Sequence, residues 1–248
     1  MKSLQTVFND WASQAKGAYR KKQWLLSKWE TLDGIDWPAP KIKILFETIR
    51  GALELRRSDS FIDIGCGGGW IQQGLKRYVK RSIGLDISIE MLKHASAPGL
   101  GRLKNDLVCG DVCQLPFKNK SFSRALCYFV FINFSDPDHI RRAIGEMMRI
   151  LKKGGRVLIG QIPDRNYSAQ YDVAKASYLD YCRKTYQLGR NIRDICVVPV
   201  HPLDRGFFVR FLEKEKIAYQ IRESFNPFYR PGEPETVDWR FDLVLEKK

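Results

Sequence analysis

The stretch Phe61-Ile62-Asp63-Ile64-Gly65-Cys66-Gly67-Gly68-Gly69 ends an apolar run in a carboxylate and then sets four glycines within five positions. Glycines at such a junction let the backbone take φ > 0 and let a ligand approach the bare main chain. The run from Phe61 to Ile64 reads as a buried strand, and Trp70, Ile71 and Leu75 fall on one face of the helix that follows. The amides at that helix start are expected to face the ligand. Strand, glycine turn and helix make a nucleotide cradle, and spacing separates three kinds. A P-loop needs Gly-x-x-x-x-Gly-Lys-Ser/Thr; here Trp70 and Ile71 follow Gly69, which excludes it. The dinucleotide fingerprint Gly-x-Gly-x-x-Gly is poorly met, because its third glycine falls on Trp70 or on Gln72. What remains is Asp-x-Gly-x-Gly-x-Gly, from Asp63 to Gly69. An acid ahead of the turn suits a cationic or amino-bearing ligand with no pyrophosphate to repel.

Two further acids fall at strand ends. Ser82-Ile83-Gly84-Leu85-Asp86 reads as a second short strand, its acid 23 positions after Asp63. A carboxylate there can accept both hydroxyls of a ribose. A third strand, Asp106 to Cys109, runs into Gly110-Asp111-Val112, where Asp111 could accept from the exocyclic amine of a base. A fourth strand spans Phe122 to Phe129, a helix Asp138 to Leu151, and a turn Lys152-Lys153-Gly154-Gly155 leads into a fifth strand, Arg156 to Gln161.

In this order and spacing, residues 58 to 162 resemble the cofactor half of a class I S-adenosylmethionine-dependent methyltransferase of the small-molecule type. The resemblance is carried by Asp63–Gly69, Asp86, Gly110-Asp111, Leu115-Pro116-Phe117, Glu146 to Leu151 and Gly154-Gly155. It implies an α/β, Rossmann-like sheet of seven strands, mostly parallel with the last antiparallel, and helices on both faces. It implies that the backbone from Asp63 through Gly65 and Cys66 to Gly67 holds the methionine moiety of S-adenosylmethionine. Asp86 with Ile87 would hold the ribose, Asp111 with Val112 would flank the adenine, and Tyr128 would wall the pocket. S-adenosylhomocysteine would be the product. The chain departs from the family at two places. Phe122-Ser123 stands where Phe-Asp usually opens the fourth strand, and Ile132-Asn133 where many small-molecule members carry a histidine. The catalytic assignment therefore stays open among Tyr128, His139 and His201.

The elements around this core set the expected organisation: residues 1–57 as a helical extension or lid, and 58–248 as the cofactor-binding domain with an insertion at about 163–203. Leu4, Val7, Phe8, Trp11, Ala15 and Tyr19 recur at helical spacing as one apolar–aromatic stripe. Such a stripe either packs on the core or closes over a ligand. Gly34 to Pro40 reads as a rigid linker to a helix from Lys41 to Leu55. The insertion carries Tyr171, Tyr178 and Tyr181 on or near one helix side, over the strand ends where open α/β sheets bind ligands. Tyr19, Trp37, Tyr171 and Tyr178 are thus the candidates for acceptor contact. A helix Asp204 to Lys216 and strands Tyr219 to Phe225 and Trp239 to Glu246 close the chain. Asn226-Pro227-Phe228-Tyr229 resembles the Asn-Pro-Pro-Tyr motif of nucleic-acid amino-methyltransferases, but it falls at a hairpin turn and not after the fourth strand.

Composition bounds the partners. The 248 residues, 44% hydrophobic and 28% charged, suffice for one well-cored domain. No apolar stretch nears the ~20 residues of a spanning helix, and Asn9, Asp10 and Gln14 break any export signal, so a cytoplasmic protein is expected. Six scattered cysteines lack the paired spacing of a structural zinc site and read as buried free thiols, with no metal expected. The net charge of +14 points to nucleic acid, an anionic surface or an acidic substrate, or to a merely basic solvated surface. The basic residues are not gathered into one nucleic-acid module. The reading is therefore methyl transfer to an oxygen or nitrogen of a small or medium-sized metabolite, with a general base useful but not obligatory. The alternatives are an RNA methyltransferase and a non-catalytic S-adenosylmethionine-binding module.

Overall fold

The computed structural model describes residues 39–96, 106–170, 201–226 and 234–248, together with residues 3, 5, 6, 8, 9, 172, 173, 176, 177 and 180. Its sheet is built from β1 (Ser60–Ile64), β2 (Arg81–Asp86), β3 (Leu107–Cys109), β4 (Phe122–Tyr128), β5 (Leu151–Pro163), β6 (Ala218–Phe225) and β7 (Thr236–Glu246). The helices are α1 (Ala39–Leu53), α2 (Trp70–Leu75), α3 (Ile89–Ala95), α4 (Pro137–Ile150) and α5 (Arg205–Lys214). The strand order is β3-β2-β1-β4-β5-β7-β6. All pairs are parallel except those of β7, which runs against both β5 and β6. Order reverses between β1 and β4, and in open α/β sheets that switch point opens the ligand crevice at the carboxyl ends of the strands. The glycine turn after β1 and the chain after β4 therefore meet there.

The apolar pattern builds a core on each face of the sheet. In β1, Ile62 and Ile64 point to one face and Phe61 to the other, the period-two alternation of a strand. Ile140, Ala143, Ile144, Met147 and Ile150 form the buried stripe of α4 against the first face. Leu45, Ile49 and Leu53 of α1, with Trp70, Ile71 and Leu75 of α2, cover the second. Each large side chain so buried contributes roughly 1.5–3 kcal/mol. Asp63, two residues beyond Phe61, must face the α2 side. Asp136 caps α4 through the Asp138 N–H at 2.9 Å, with Pro137 at the position where a helix tolerates proline.

Several boundaries differ from expectation, and three of the differences have a clear cause. Helix α1 opens at Ala39 and takes in Pro40, so the expected linker ends earlier; proline fits a first helical turn because its missing N–H would go unbonded there. Strand β5 begins at Leu151, which pairs with Phe122, so the expected turn at 152–155 is an irregularity within the strand. Gly154 there has φ 69° and donates to Lys247. Helix α4 ends at Ile150 for the same reason. The insertion after β5 leaves and returns at one place: Asp164 bridges Leu203, whose N–H donates to Pro163 at 2.8 Å. Among the described residues, no helix is long and apolar enough to cross a membrane.

Candidate functional site

The turn after β1 uses its glycines in alternation, with Gly65, Gly67 and Gly69 at φ 74°, 53° and 75°. Space as well as φ excludes a side chain at Gly65, where a Cβ would come within 2.2 Å of Val130 Cγ2. Four amides of this turn are already bonded within the protein, and at the helix start, where amides were expected to face a ligand, the Gln72 N–H goes to Asp63. Gly65 and Cys66 both donate to the Leu85 carbonyl (2.7 and 2.9 Å), Gly67 donates to Asp86 Oδ2 (2.8 Å), and Gly69 donates to Cys66 (2.8 Å). A phosphate cradle offers such N–H groups outward; here three are spent on the neighbouring strand β2 and one within the turn.

What the turn offers instead is negative charge. Asp63 is 2% exposed, takes one bond from the Gln72 main-chain N–H, and keeps Oδ2 without a hydrogen-bond partner. Burial, and then the nearby Asp86 charge, push its carboxyl up to about 7. Asp86 is also raised by burial, partly offset by N–H bonds from Ser88 and Gly67 at 2.8 Å each. Each Asp86 oxygen is therefore engaged once and has a lone pair left for a further donor. Asp111 Oδ1 accepts from Cys113 N–H at 2.8 Å. The loop carrying Asp111 and Val112 is pinned from α4. Glu146 accepts from Leu115 N–H (2.7 Å), and Arg149 donates to the Leu115 and Phe117 carbonyls (2.8 and 2.7 Å). The Arg149 bond also holds the Glu146 carboxyl below its ordinary range.

These groups line one cavity of about 240 Å³. Asp63, Gly65, Cys66, Gly67, Asp86, Ile87, Asp111, Val112 and Tyr128, the nine residues expected around the cofactor, all border it. His139 borders it too, with Nε2 3.9 Å from Asp136 Oδ2. His201 does not; its N–H donates to the Ile132 carbonyl at 2.8 Å beside the segment following β4. The Tyr128 hydroxyl is buried and pushed well above its ordinary range, which argues against a phenolate base. Tyr19, Trp37, Tyr171 and Tyr178 lie outside the described residues. Val130, Met91 and Arg142 border the cavity without having been expected there, as do Asn133, noted only for the absent histidine, and Phe8 of the stripe expected to pack on the core or close over a ligand. Val130 and Asn133 follow β4 at the switch point, a position that alone could have flagged them. Phe8 belongs to the amino-terminal stripe, and its neighbour Asn9 accepts from Ser88 Oγ at 2.6 Å.

Cys66 and Cys127 are buried free thiols, whereas Cys109 is exposed and Cys113 half-buried, so the expectation of burial fails for those two. Both sit at the short edge strand β3 and its exit, which few elements cover. Among the described residues, no group of three or more histidine, cysteine or acidic side chains gathers as a metal site. Asn226 bonds across the β6–β7 hairpin to the main chain of Pro234 and Glu235, which accounts for it structurally.

The unpartnered Asp63 oxygen, the bare turn and the inward-turned amides fit a ligand bearing an ammonium and a ribose, as S-adenosylmethionine does. A family model for a methyltransferase domain matches residues 62–159. An uncharacterized methyltransferase of Bacillus subtilis, YcgJ, is 34% identical over 108 residues, 43% of this chain and 42% of that protein. Demethylmenaquinone methyltransferase of Thermotoga maritima is 36% identical over 104 residues, 41% of this chain and 42% of that protein. The crystal structure of the Bacillus YcgJ protein covers 85% of this chain and 100% of its own, with a TM-score of 0.55 and 19% identity. The matches span less than half the length of these curated relatives. The strand order is that of a Rossmann-like methyltransferase fold.

Proposed function

We propose that the protein transfers a methyl group from S-adenosylmethionine to an oxygen or nitrogen of a small or medium-sized metabolite. The observation that carries this reading is the buried Asp63 carboxylate with an open lone pair beside a turn whose amides are already spent. A cationic amino-acid moiety satisfies that carboxylate, whereas a phosphate at the turn meets the Asp63 and Asp86 carboxyls and four amides that are already engaged. Asp63 and the Gly65–Gly67 main chain would hold the methionine end, Asp86 the ribose, and Asp111 with Val112 the adenine. The bound sulfonium supplies an activated methyl group. The residues of this chain orient it and exclude water. Phe8 at the cavity and Asn9 on Ser88 favour a role for the amino-terminal segment in covering the cofactor.

Incubating the protein with methyl-labelled S-adenosylmethionine and a metabolite extract tests the reading. Label entering a small molecule supports it; label reaching no acceptor favours a binding module without catalysis. The charge of +14 motivates RNA as the acceptor instead. That alternative requires RNA affinity falling steeply with salt, as counterion release dictates.

A further inference from the structure

The net charge of +14 is not spread evenly over the fold. Strands β2, β1, β4 and β5 lie side by side and run parallel, so residues leading into them share one end of the sheet and residues leaving them share the other. The leaving end is acidic, with Asp63, Asp86 and Asp111 at the cavity and Asp136 and Asp164 just past β4 and β5. The entering end is basic. Arg56 and Arg57 precede β1, and Lys80 and Arg81 lead into β2. Lys118 and Lys120 precede β4, while Lys152 and Lys153 follow the first residue of β5. All of these side chains are exposed. They are scattered along the sequence, and the strand order gathers them.

Main-chain contacts join the pairs into one surface. Lys80 and Arg81 N–H both donate to the Asp59 carbonyl (2.9 and 3.3 Å), and Ser60 Oγ donates to the Ser121 carbonyl (3.2 Å). Lys120 N–H donates to the Arg149 carbonyl (3.2 Å), and Gly154 N–H to that of Lys247 (2.7 Å). The acids beside these pairs are already engaged. Asp59 is 6% exposed, accepts from Arg56 N–H and the Ser123 hydroxyl (2.7 Å each), and lies 3.8 Å from the buried Arg124. Glu54 pairs with Arg156, which also holds Glu246. The cations crowd one another: burial first, then the charges of Lys120 and Arg149, keep the Lys247 ammonium below its ordinary range. A polyanion laid across this end relieves that repulsion.

No large exposed apolar side chain accompanies the charge. Among the described residues, the exposed large hydrophobics are Ile89, which opens α3 at the leaving end, and Val173 in the insertion. A protein partner is held chiefly by buried anchors and a lipid surface by an inserted apolar face. A phosphodiester backbone offers charge alone. We propose that the entering end of the sheet is a docking surface for nucleic acid, gripping its backbone without reading its bases. The paired cations span about 15 Å across adjacent strands, a length over which a duplex carries roughly nine phosphate charges. They lie about 20 Å, the length of β4, from the cavity. Nucleic acid held there is tethered to the protein and does not reach the methyl group, so the inference stands apart from the methyl-transfer reading.

The test measures binding of a fluorescent, mixed-sequence RNA strand by anisotropy between about 50 and 200 mM salt. Replacing Lys118, Lys120, Lys152 and Lys153 together with glutamine should lower the salt slope by about 3, at roughly 0.7 per phosphate contact of a single strand. Over that range the variant's affinity then falls about 50-fold less than the wild type's. Arg56→Gln with Arg57→Gln, at another strand entrance, should lower the slope by about half as much. A control carrying Lys93→Gln, Arg141→Gln, Arg165→Gln and Arg210→Gln sheds exposed charge elsewhere and should keep the wild-type slope. Affinity for S-adenosylhomocysteine, read by calorimetry, should be the same in every variant. Equal slopes in the control and both patch variants, no RNA binding by the wild type at the lowest salt, or binding only to vesicles of phosphatidylcholine and phosphatidylserine in equal parts overturns the proposal. A wild type that binds RNA with the expected slope but no S-adenosylhomocysteine strikes the methyl-transfer reading and leaves the docking surface standing.

Discussion

Replacing Asp63 with asparagine should make the protein more stable at pH 8 while impairing cofactor binding. The folded carboxyl ionises at about 7 against an ordinary value of 3.8, chiefly through burial. In that window the unfolded chain has lost its proton and the folded protein keeps it, so stability falls as pH rises from about 4 to 7. A shift of about three units at 1.36 kcal/mol each makes the loss roughly 4 kcal/mol. Asparagine keeps the acceptor for the Gln72 N–H and has nothing to ionise. At pH 8 its melting temperature should exceed that of wild type by up to roughly 8–16 °C at about 2–4 °C per kcal/mol, and the gap should close at pH 4. An ammonium bound at Asp63 draws the proton off. Wild-type affinity for S-adenosylhomocysteine should therefore rise with pH through about 7 with release of one proton, and the asparagine variant should be flat. Thermal melts at pH 4 and 8, and calorimetry in buffers of different ionisation enthalpy, read both effects. A variant that melts below wild type by the same margin at both pH values, with unchanged proton release, would refute the reasoning.

Other residues give sharper local tests. Asp86→Ala removes the acceptor for Gly67 and Ser88 N–H as well as that proposed for the ribose; S-adenosylhomocysteine binding by calorimetry should weaken by about 1.5–3 kcal/mol, and unchanged affinity would remove the ribose assignment. Gly65→Ala forces a side chain onto Val130 at φ 74°. It should cost about 1–2 kcal/mol from φ alone, and adding Val130→Ala should relieve the clash but leave that cost in thermal melts. Glu146→Ala should raise amide exchange across residues 111–117 and cost about 1.5–3 kcal/mol, since it strips Leu115 N–H and Arg149 of their partner. Protection equal to wild type there would mean the loop holds itself.

The cofactor side of the site was legible because its information is local. Asp63 to Gly69, Asp86 and Asp111 lie within or just beyond short strands, and strand–helix alternation orders them at the carboxyl ends of those strands. The direction of the turn's amides was not legible, because Leu85 and Asp86 claim them through the register of β1 with β2. The buried polar residues Gln161, Ser224, Arg240 and Asp242 of β5, β6 and β7 were hidden for a different reason. Arg240 and Asp242 alternate with Phe241 and Leu243, which reads as the solvent face of a strand. Yet these charges are buried, and their partners come from strands distant in sequence: β7 lies between β5 and β6, and Asp242 takes the Gln161 N–H and the Ser224 hydroxyl. Gln161 sits inside an apolar run, and only the shifted pairing of β5 with β7 shows why a polar residue belongs there. Ser123, at a position where the resemblance implies an acid, donates to Asp59, the residue ahead of β1, at 2.7 Å.

Calorimetric titration of the protein with S-adenosylhomocysteine, NADH and ATP in parallel is the most direct test of the central claim. The spent amides and the open Asp63 carboxylate predict that S-adenosylhomocysteine binds at one site while the two phosphate-bearing nucleotides give no heat. Binding of NADH or ATP with no response to S-adenosylhomocysteine would contradict the account.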